Sequence, residues 1–487
     1  MTDSSHIAAP TRDMDMRLAV ACGLAIMMRT YQPWLFDNGI VPAVGAVFAP
    51  AYKIQMAVRV LIEFLVLLAA MRAPRLLRPR PLLGGSFACC IAGVVLLNLV
   101  PVSPVSIAIG LIVRLAGHFF GFYVIGIALS QIGETRIAAT STSCAVLAAT
   151  FIARLAPAPG LSASVALDAI LTLGSIALTW RAAEPVLNRI ASFPGGNLWA
   201  LVNPKSFLVP NHQVFLLIFF FSVAMGFGMF LRIEDLTPRG NNLSIVVLAG
   251  VLLWFIAVPN KRGHMREDAL FSACALLAVA GFLLSPLEDS GGRTANALLF
   301  ACKLAFGVLS WTVLAALCAR NPIGSIVFLA CGELANASGI LLGAELGDAC
   351  NAVSAVYPKT VALTTSAIVL VFFAYALIGL RGFSFAETIR GIEEASPLPS
   401  QQPIPPSRDR LIETACQSLA ADHGLTNREH EVMGMLARGH NGYHIRDELG
   451  LSYNTVKTHV QRIYRKLDVH SQQELIDLVE GEAREQN

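Results

Sequence analysis

Twelve apolar runs, each near the length of a membrane-crossing helix, fill the first four-fifths of this 487-residue chain. A helix needs about 20 mostly apolar residues to cross the hydrocarbon core of a bilayer. The first six runs cover roughly 17–36, 52–72, 82–100, 105–130, 136–156 and 161–180. The second six cover roughly 213–232, 243–259, 268–286, 295–319, 323–344 and 360–380. A water-soluble core has no use for so many, and in lipid only helices and closed barrels satisfy their own backbone groups. Runs of this length are helices, so an all-α fold is expected: a twelve-span membrane bundle in two halves of six, 17–180 and 213–381. A longer polar connection over about 181–212 joins the halves.

Composition agrees, with 55% apolar and 14% charged residues against the roughly 25% charged residues of soluble domains. Ten cysteines are present, none in a CxxC pair and nine of them in apolar stretches, with only Cys416 beyond. They read as small buried hydrophobes, so neither a zinc site nor a disulfide framework is expected, and no cofactor. No nucleophile–base set, phosphate loop or metal cluster points to an enzyme. The polar segment 1–16 precedes a first run that lacks a small-residue cleavage pattern, so no cleaved signal is expected.

Cytoplasmic loops hold an excess of Lys and Arg. With the N-terminus inside, fourteen fall on inner segments, including Arg72, Arg75, Arg78 and Arg80, against six on outer ones. The sequence therefore predicts both termini on the cytoplasmic side of the membrane. The division into six and six resembles the major facilitator fold, in which two halves enclose a central cavity. The resemblance is architectural. The loop Arg72–Arg80 is basic but lacks the acidic and central glycine residues of that family's cytoplasmic signature.

After Arg381 the composition changes. A linker over 391–410 carries Pro397, Pro399, Pro403, Pro405 and Pro406. At about 3.1 Å per extended residue, its fifteen proline-rich residues (393–407) span on the order of 45 Å at most, which would hold the tail near the membrane.

The tail, 422–487, has local signals for four short helices at about 427–437, 442–449, 453–467 and 472–481. Thr426 with Glu429 and Ser471 with Glu474 make capping boxes, and Ser452 caps the third helix after a turn at Gly450. In that helix Val456, Val460, Ile463 and Leu467 form an apolar stripe. The other face carries Lys457, Thr458, Gln461 and Arg465, and the helix has four basic and no acidic residues. The run LTNREHEV, then IRDELGLSYNTVKTHVQRIYRKL, closely resembles the LuxR/FixJ-type helix-turn-helix family over residues 426–479. The resemblance implies double-stranded DNA as partner, with helix 453–467 in the major groove of an operator bound by a homodimer. Carried over position by position, Lys457, Thr458 and Gln461 would face base edges, and Asn454, Thr455 and His459 would lie near phosphates. From Asp422 onward eight basic residues meet eleven acidic ones, so the positive charge is local to one helix. Arg446 stands where the family usually has alanine.

Ionisable residues inside spans are costly and mark functional sites by default. Arg59 and Glu63 stand four apart, as do Arg114 and His118, a spacing that allows mutual neutralisation on one helix face. Arg29, Asp168, Lys303, Glu333 and Asn336 complete the set. Two readings stay open for them: interhelical pairs that fix the bundle, or a polar cavity for an anionic or amphipathic small molecule.

Together these features point to a membrane-embedded one-component transcriptional regulator, controlled by a ligand in the membrane domain and partnered by lipid and DNA. The alternative is a major-facilitator-like transporter carrying a regulatory DNA-binding tail.

Overall fold

The computed structural model describes residues 8–45, 47–48, 51–98, 103–156, 159–192, 212–230, 242–257, 266–284, 293–354, 383–392 and 408–485, with short pieces between 363 and 371. Every element among them is helical. The chain divides into two compact units, 1–396 and 397–487.

In the first unit, α1 (Ala8–Leu35), α2 (Ala51–Arg72), α3 (Pro79–Asn98), α4 (Pro104–Ser130), α5 (Thr135–Leu155) and α6 (Leu161–Ser192) form one half. The other holds α7 (Gln213–Phe230), α8 (Asn242–Ala257), α9 (Arg266–Leu284), α10 (Arg293–Arg320) and α11 (Ser325–Ser354), followed by the short α12 (Phe385–Arg390). Each apolar run but the last therefore coincides with a helix. The run 360–380 and most of the linker 391–410 lie outside the described residues. Eight of the helices are long and apolar enough to cross a membrane, and α7 and α8 contain shorter apolar stretches. The unit is thus an all-helical apolar bundle of the kind a membrane protein has. Its outward faces support this, since Leu61, Phe64, Leu65, Phe87, Leu276 and Leu283 are exposed, an arrangement that lipid favours and water penalises.

Helix ends follow local chemistry. Ser103 caps α4 in a reciprocal box with Ser106, and Pro104 occupies the first turn, where its missing N–H is no loss. Pro33 lies inside α1, and a π-helical turn, Phe36–Ile40, follows it. Wider turns of this kind often sit at functional positions. Gly39 is obligatory there, because a Cβ would meet Ser164 Oγ at 1.9 Å.

The halves meet where α2 packs on α11 and α10 packs on α4 and α5. Within the second half α7 and α11 lie backbone to backbone. A Cβ on Gly343 would meet the Val223 carbonyl at 2.2 Å, and one on Gly226 the Ile340 carbonyl at 2.5 Å. Gly339, Gly343 and Gly347 recur every fourth residue, the small-residue ridge that brings helices into close contact without a hydrophobic driving force.

The second unit holds α13 (Arg408–Asp422), α14 (Asn427–Ala437), α15 (Gly442–Leu449), α16 (Tyr453–Leu467) and α17 (Gln472–Glu485). The sequence reading placed four helices here, and α13 is an addition. It packs on α14 and α17, bringing Ile412, Ala415, Cys416 and Leu419 into one core with Val432, Ile445, Val456 and Ile463. Burial pushes the Cys416 thiol up to about 11, as expected of a core cysteine with no chemistry to perform.

Candidate nucleic-acid interface and candidate ligand cavity

The helix-turn-helix is set by three caps. The Thr426 N–H donates to Glu429 Oε2 at 2.9 Å while Thr426 Oγ1 accepts from the Glu429 N–H. Asn441 Oδ1 accepts from the His444 N–H at 3.0 Å, and Ser452 Oγ from the Thr455 N–H at 3.1 Å. Gly450 ends α15 at φ +64°, a left-handed conformation suited to glycine. This turn sends α16 out of the core with Val456, Ile463 and Leu467 buried.

At about 100° per residue, Asn454, Lys457, Thr458, Gln461 and Arg465 fall within about 100° of arc on the opposite side. All five are exposed. Thr455 is exposed at the flank with its hydroxyl 2.7 Å from Ser452 Oγ, and His459 is half-buried. Sequence position alone gave no role to Arg462, which is exposed beside this face. Of the helix's four basic residues one is spent structurally: Lys466 Nζ lies 2.7 Å from Glu429 Oε2 and donates to the Gly424 carbonyl at 2.8 Å. The Lys466 ammonium, with the Thr426 N–H, holds the Glu429 carboxyl down at about 2. Lys457, Arg462 and Arg465 have no acidic partner among the described residues, leaving their charge available to a polyanion.

Arg446 does not intrude between the motif helices. It reaches along α15 to Asp447 at 2.6 Å, with its guanidinium 5.6 Å from the Tyr443 ring centre. Tyr443 in turn stacks on Tyr453, 4.7 Å between centres, both exposed at the start of α15 and α16. Nothing in the helical periodicity forecasts this pair, because it joins two helices.

In the apolar unit the ionisable residues converge. A cavity of about 330 Å³ is lined by Arg29, Arg59, Arg114, His118, Lys303, Glu333 and Asn336. Of the intramembrane residues singled out in the sequence, Glu63 and Asp168 are not part of the wall, and Glu63 accepts a hydrogen bond from the Tyr123 hydroxyl. Both halves contribute: α1, α2 and α4 from one, α7, α10 and α11 from the other.

The pairings differ from those that spacing suggested. Arg59 is bound not to Glu63, one turn away, but to Glu333 across the cavity wall. Arg114 and His118 do share one partner, but it lies on α6: Asp168 Oδ2 is 2.7 Å from Arg114 Nε and 2.6 Å from His118 Nε2. The histidine contact is close but not well directed as a hydrogen bond, and Asp168 Oδ1 is left without a partner among the described residues. His118 Nδ1 faces the Arg114 carbonyl at 2.6 Å. These three residues are at most 6% exposed, so they form an interior anchor, with Arg114 and His118 on the cavity wall and Asp168 behind it.

Arg29 touches only neutral oxygens, Gln32 Oε1 at 3.2 Å and the His118 carbonyl at 3.5 Å. Gln32 is itself held by Thr172 Oγ1 at 2.6 Å. Asn336 Oδ1 accepts from the Ser222 hydroxyl at 3.0 Å, tying α11 to α7. Sequence reading missed Asp37, which the π-helical turn carries to the cavity wall. The turn extends the helix past its apolar run, so no hydropathy signal marks that residue.

Comparison with known proteins concerns the tail. Residues 423–479 match the family of bacterial regulatory proteins of the luxR family. This chain is also 47% identical over 57 residues to the "Uncharacterized response regulatory protein YgeK" of Escherichia coli (strain K12). That stretch covers 12% of this chain and 39% of the relative, so the chain spans well under half of the relative it matches. The tail is a LuxR-family helix-turn-helix domain, a DNA-binding unit of transcription regulation, joined to a helical region with the character of a membrane domain.

Proposed function

We propose that this chain is a membrane-embedded, one-component transcriptional regulator of a bacterial inner membrane, with both termini in the cytoplasm. It binds operator DNA as a homodimer through α16. Lys457, Thr458 and Gln461 read base edges, while Asn454, Thr455, His459 and Arg465 lie along the phosphates. A small molecule bound in the charged cavity of the apolar unit controls the output. The regulatory part of this reading rests on the LuxR-family tail. The sensory part rests on one observation: a cavity lined by both halves of an apolar bundle gathers most of its intramembrane ionisable residues, at a cost that function can explain. The reading assigns no chemical reaction to the chain.

The test is genome-wide crosslinking and immunoprecipitation of the full-length protein beside a Lys457→Ala, Gln461→Ala double variant. Discrete peaks that vanish in the variant are expected. Their absence, with the protein intact in the membrane, would sink the regulator reading.

A second reading has support of its own. A cavity between two halves is also what a major-facilitator-like transporter uses, and the twelve apolar runs fit that architecture. Substrate uptake by proteoliposomes that is lost in Lys303→Gln would favour it.

A further inference from the structure

Most charges on the cavity wall are already answered. Arg114 is neutralised by Asp168, and Arg59 by Glu333. Two cations are not. Arg29 contacts only neutral oxygens, and Lys303 has no hydrogen bond or ion pair among the described residues. One acid, Asp37, is close enough for its charge to act on Lys303. The wall therefore offers two cationic donors without an ion-pair partner, with the Asp37 carboxylate acting on Lys303 and those of Glu333, Asp168 and Glu63 acting on Arg29 from further off. A guanidinium also presents a planar fork matched to a carboxylate.

The remaining wall carries neutral polar groups, among them Gln32, Gln55, Ser310 and Asn336, and a flat aromatic surface. Phe122 lies 4.6 Å from Trp311 between ring centres, and Phe221 stacks on Phe306 at 3.7 Å. All four line the cavity. One turn beyond Lys303 on the same face of α10, Gly307 also lines it, and a Cβ there would meet nothing within 4 Å. A glycine within a helix costs roughly 1 kcal/mol against alanine, and no close helix contact requires this one. What it leaves is open space beside the free ammonium. The volume, about 330 Å³, is at the small end of ligand pockets.

We propose that the cavity binds an organic monocarboxylate with a flat apolar body, its carboxylate held by Arg29 and Lys303 and its body in the space over Gly307. This names the ligand class of the sensory site proposed above and rests on that reading only for its effect on DNA.

The test measures saturable binding of radiolabelled 3-phenylpropanoate to the full-length protein in lipid nanodiscs. Unlabelled 3-phenylpropanamide, 2-phenylethylammonium and phenylalanine serve as competitors. The carboxylate should compete about tenfold or more better than the amide or the cation, as expected for charge-assisted hydrogen bonds. Phenylalanine, which adds an ammonium, should compete less well than the carboxylate. Arg29→Gln and Lys303→Gln should each weaken binding about tenfold, and Lys303→Arg should restore most of it. Gly307→Leu should abolish binding with the thermal midpoint unchanged or raised, which separates occlusion from misfolding. Absence of saturable binding overturns the proposal. So does equal competition by the amide, better competition by the cation or by phenylalanine, or wild-type binding by Gly307→Leu. Should binding follow the expected pattern while target transcription ignores the ligand, the site stands and the regulatory reading fails.

Discussion

Arg59 on α2 and Glu333 on α11 form an ion pair that joins the two halves of the apolar bundle at the cavity wall. Toward one end of the same two helices Lys53 lies 2.7 Å from Asp348 and 3.3 Å from Glu345. The two sets differ in exposure. Lys53 and its partners are 39–51% exposed, while the Arg59 and Glu333 side chains are 27% and 13% exposed. Exposed pairs contribute about 0–1 kcal/mol, whereas losing one partner of a sheltered pair costs more. Lys53→Ala should therefore leave the thermal midpoint of the purified protein nearly unchanged, and Glu333→Ala should lower it clearly. Equal shifts would show that the inner pair does not hold the halves together.

Asp168 is the counter-ion of Arg114 and lies 2.6 Å from His118 Nε2, and it is 1% exposed. Replacing it with alanine leaves a buried guanidinium without its carboxylate, a loss of about 3–5 kcal/mol. Asp168→Ala should fail to accumulate in membranes or should unfold at a much lower temperature. Arg114→Ala should behave alike, which makes Arg114 unsuitable for testing ligand response, unlike Arg29 or Lys303. Normal yield and thermal midpoint in both variants would contradict the anchor.

On DNA, two kinds of side chain on α16 should separate. Gln461→Ala or Lys457→Ala should cost about 1–3 kcal/mol on the operator and relax preference at one base position. Arg462→Ala should weaken binding evenly across sequences and reduce the slope of log affinity against log salt by about one. Fluorescence anisotropy over a salt series distinguishes the two. A sequence-dependent loss in Arg462→Ala would move that residue from the phosphates to the bases.

Glu429 supplies a pH signature for the tail. Its carboxyl sits at about 2, below its ordinary 4.5, so its bonds with Lys466 and Thr426 stabilise the domain fully above about pH 4.5. That stabilisation is lost as pH falls from there toward 2. The isolated unit 397–487, which has its own core, should lose stability over this window in denaturant titrations. Glu429→Gln should be less stable at pH 7 and show a smaller decline. An unchanged slope in the variant would assign the acid sensitivity elsewhere.

What was legible in the sequence was local. The Thr426–Glu429 box, the Ser452 cap, the Gly450 turn and the stripe Val456–Ile463–Leu467 are all set by residues within one or two turns. Apolar length located the helices of the bundle, and the rarity of charge within them singled out Arg29, Lys303 and Glu333. Partner choice was not legible. Arg59 meets Glu333, 274 positions away, rather than Glu63, because the neighbouring helix and not the sequence interval decides what faces it. Lys466, which reads as one more basic residue of a DNA-facing helix, is drawn back to Glu429, 37 positions earlier. Helix α13 escaped because it follows a proline-rich stretch and offers only a short apolar stripe, Ile412, Ala415, Cys416 and Leu419.

The ridge of Gly339, Gly343 and Gly347 has a mechanical consequence. Where main chains touch with no side chains between them, no rotamer change can absorb a slide, and separating the helices would open a void that lipid tails cannot fill. Helices α7 and α11 therefore travel as one stiff strut. Movement of one half against the other would leave that strut intact and fall at the seams between the halves, α2 on α11 and α10 on α4 and α5.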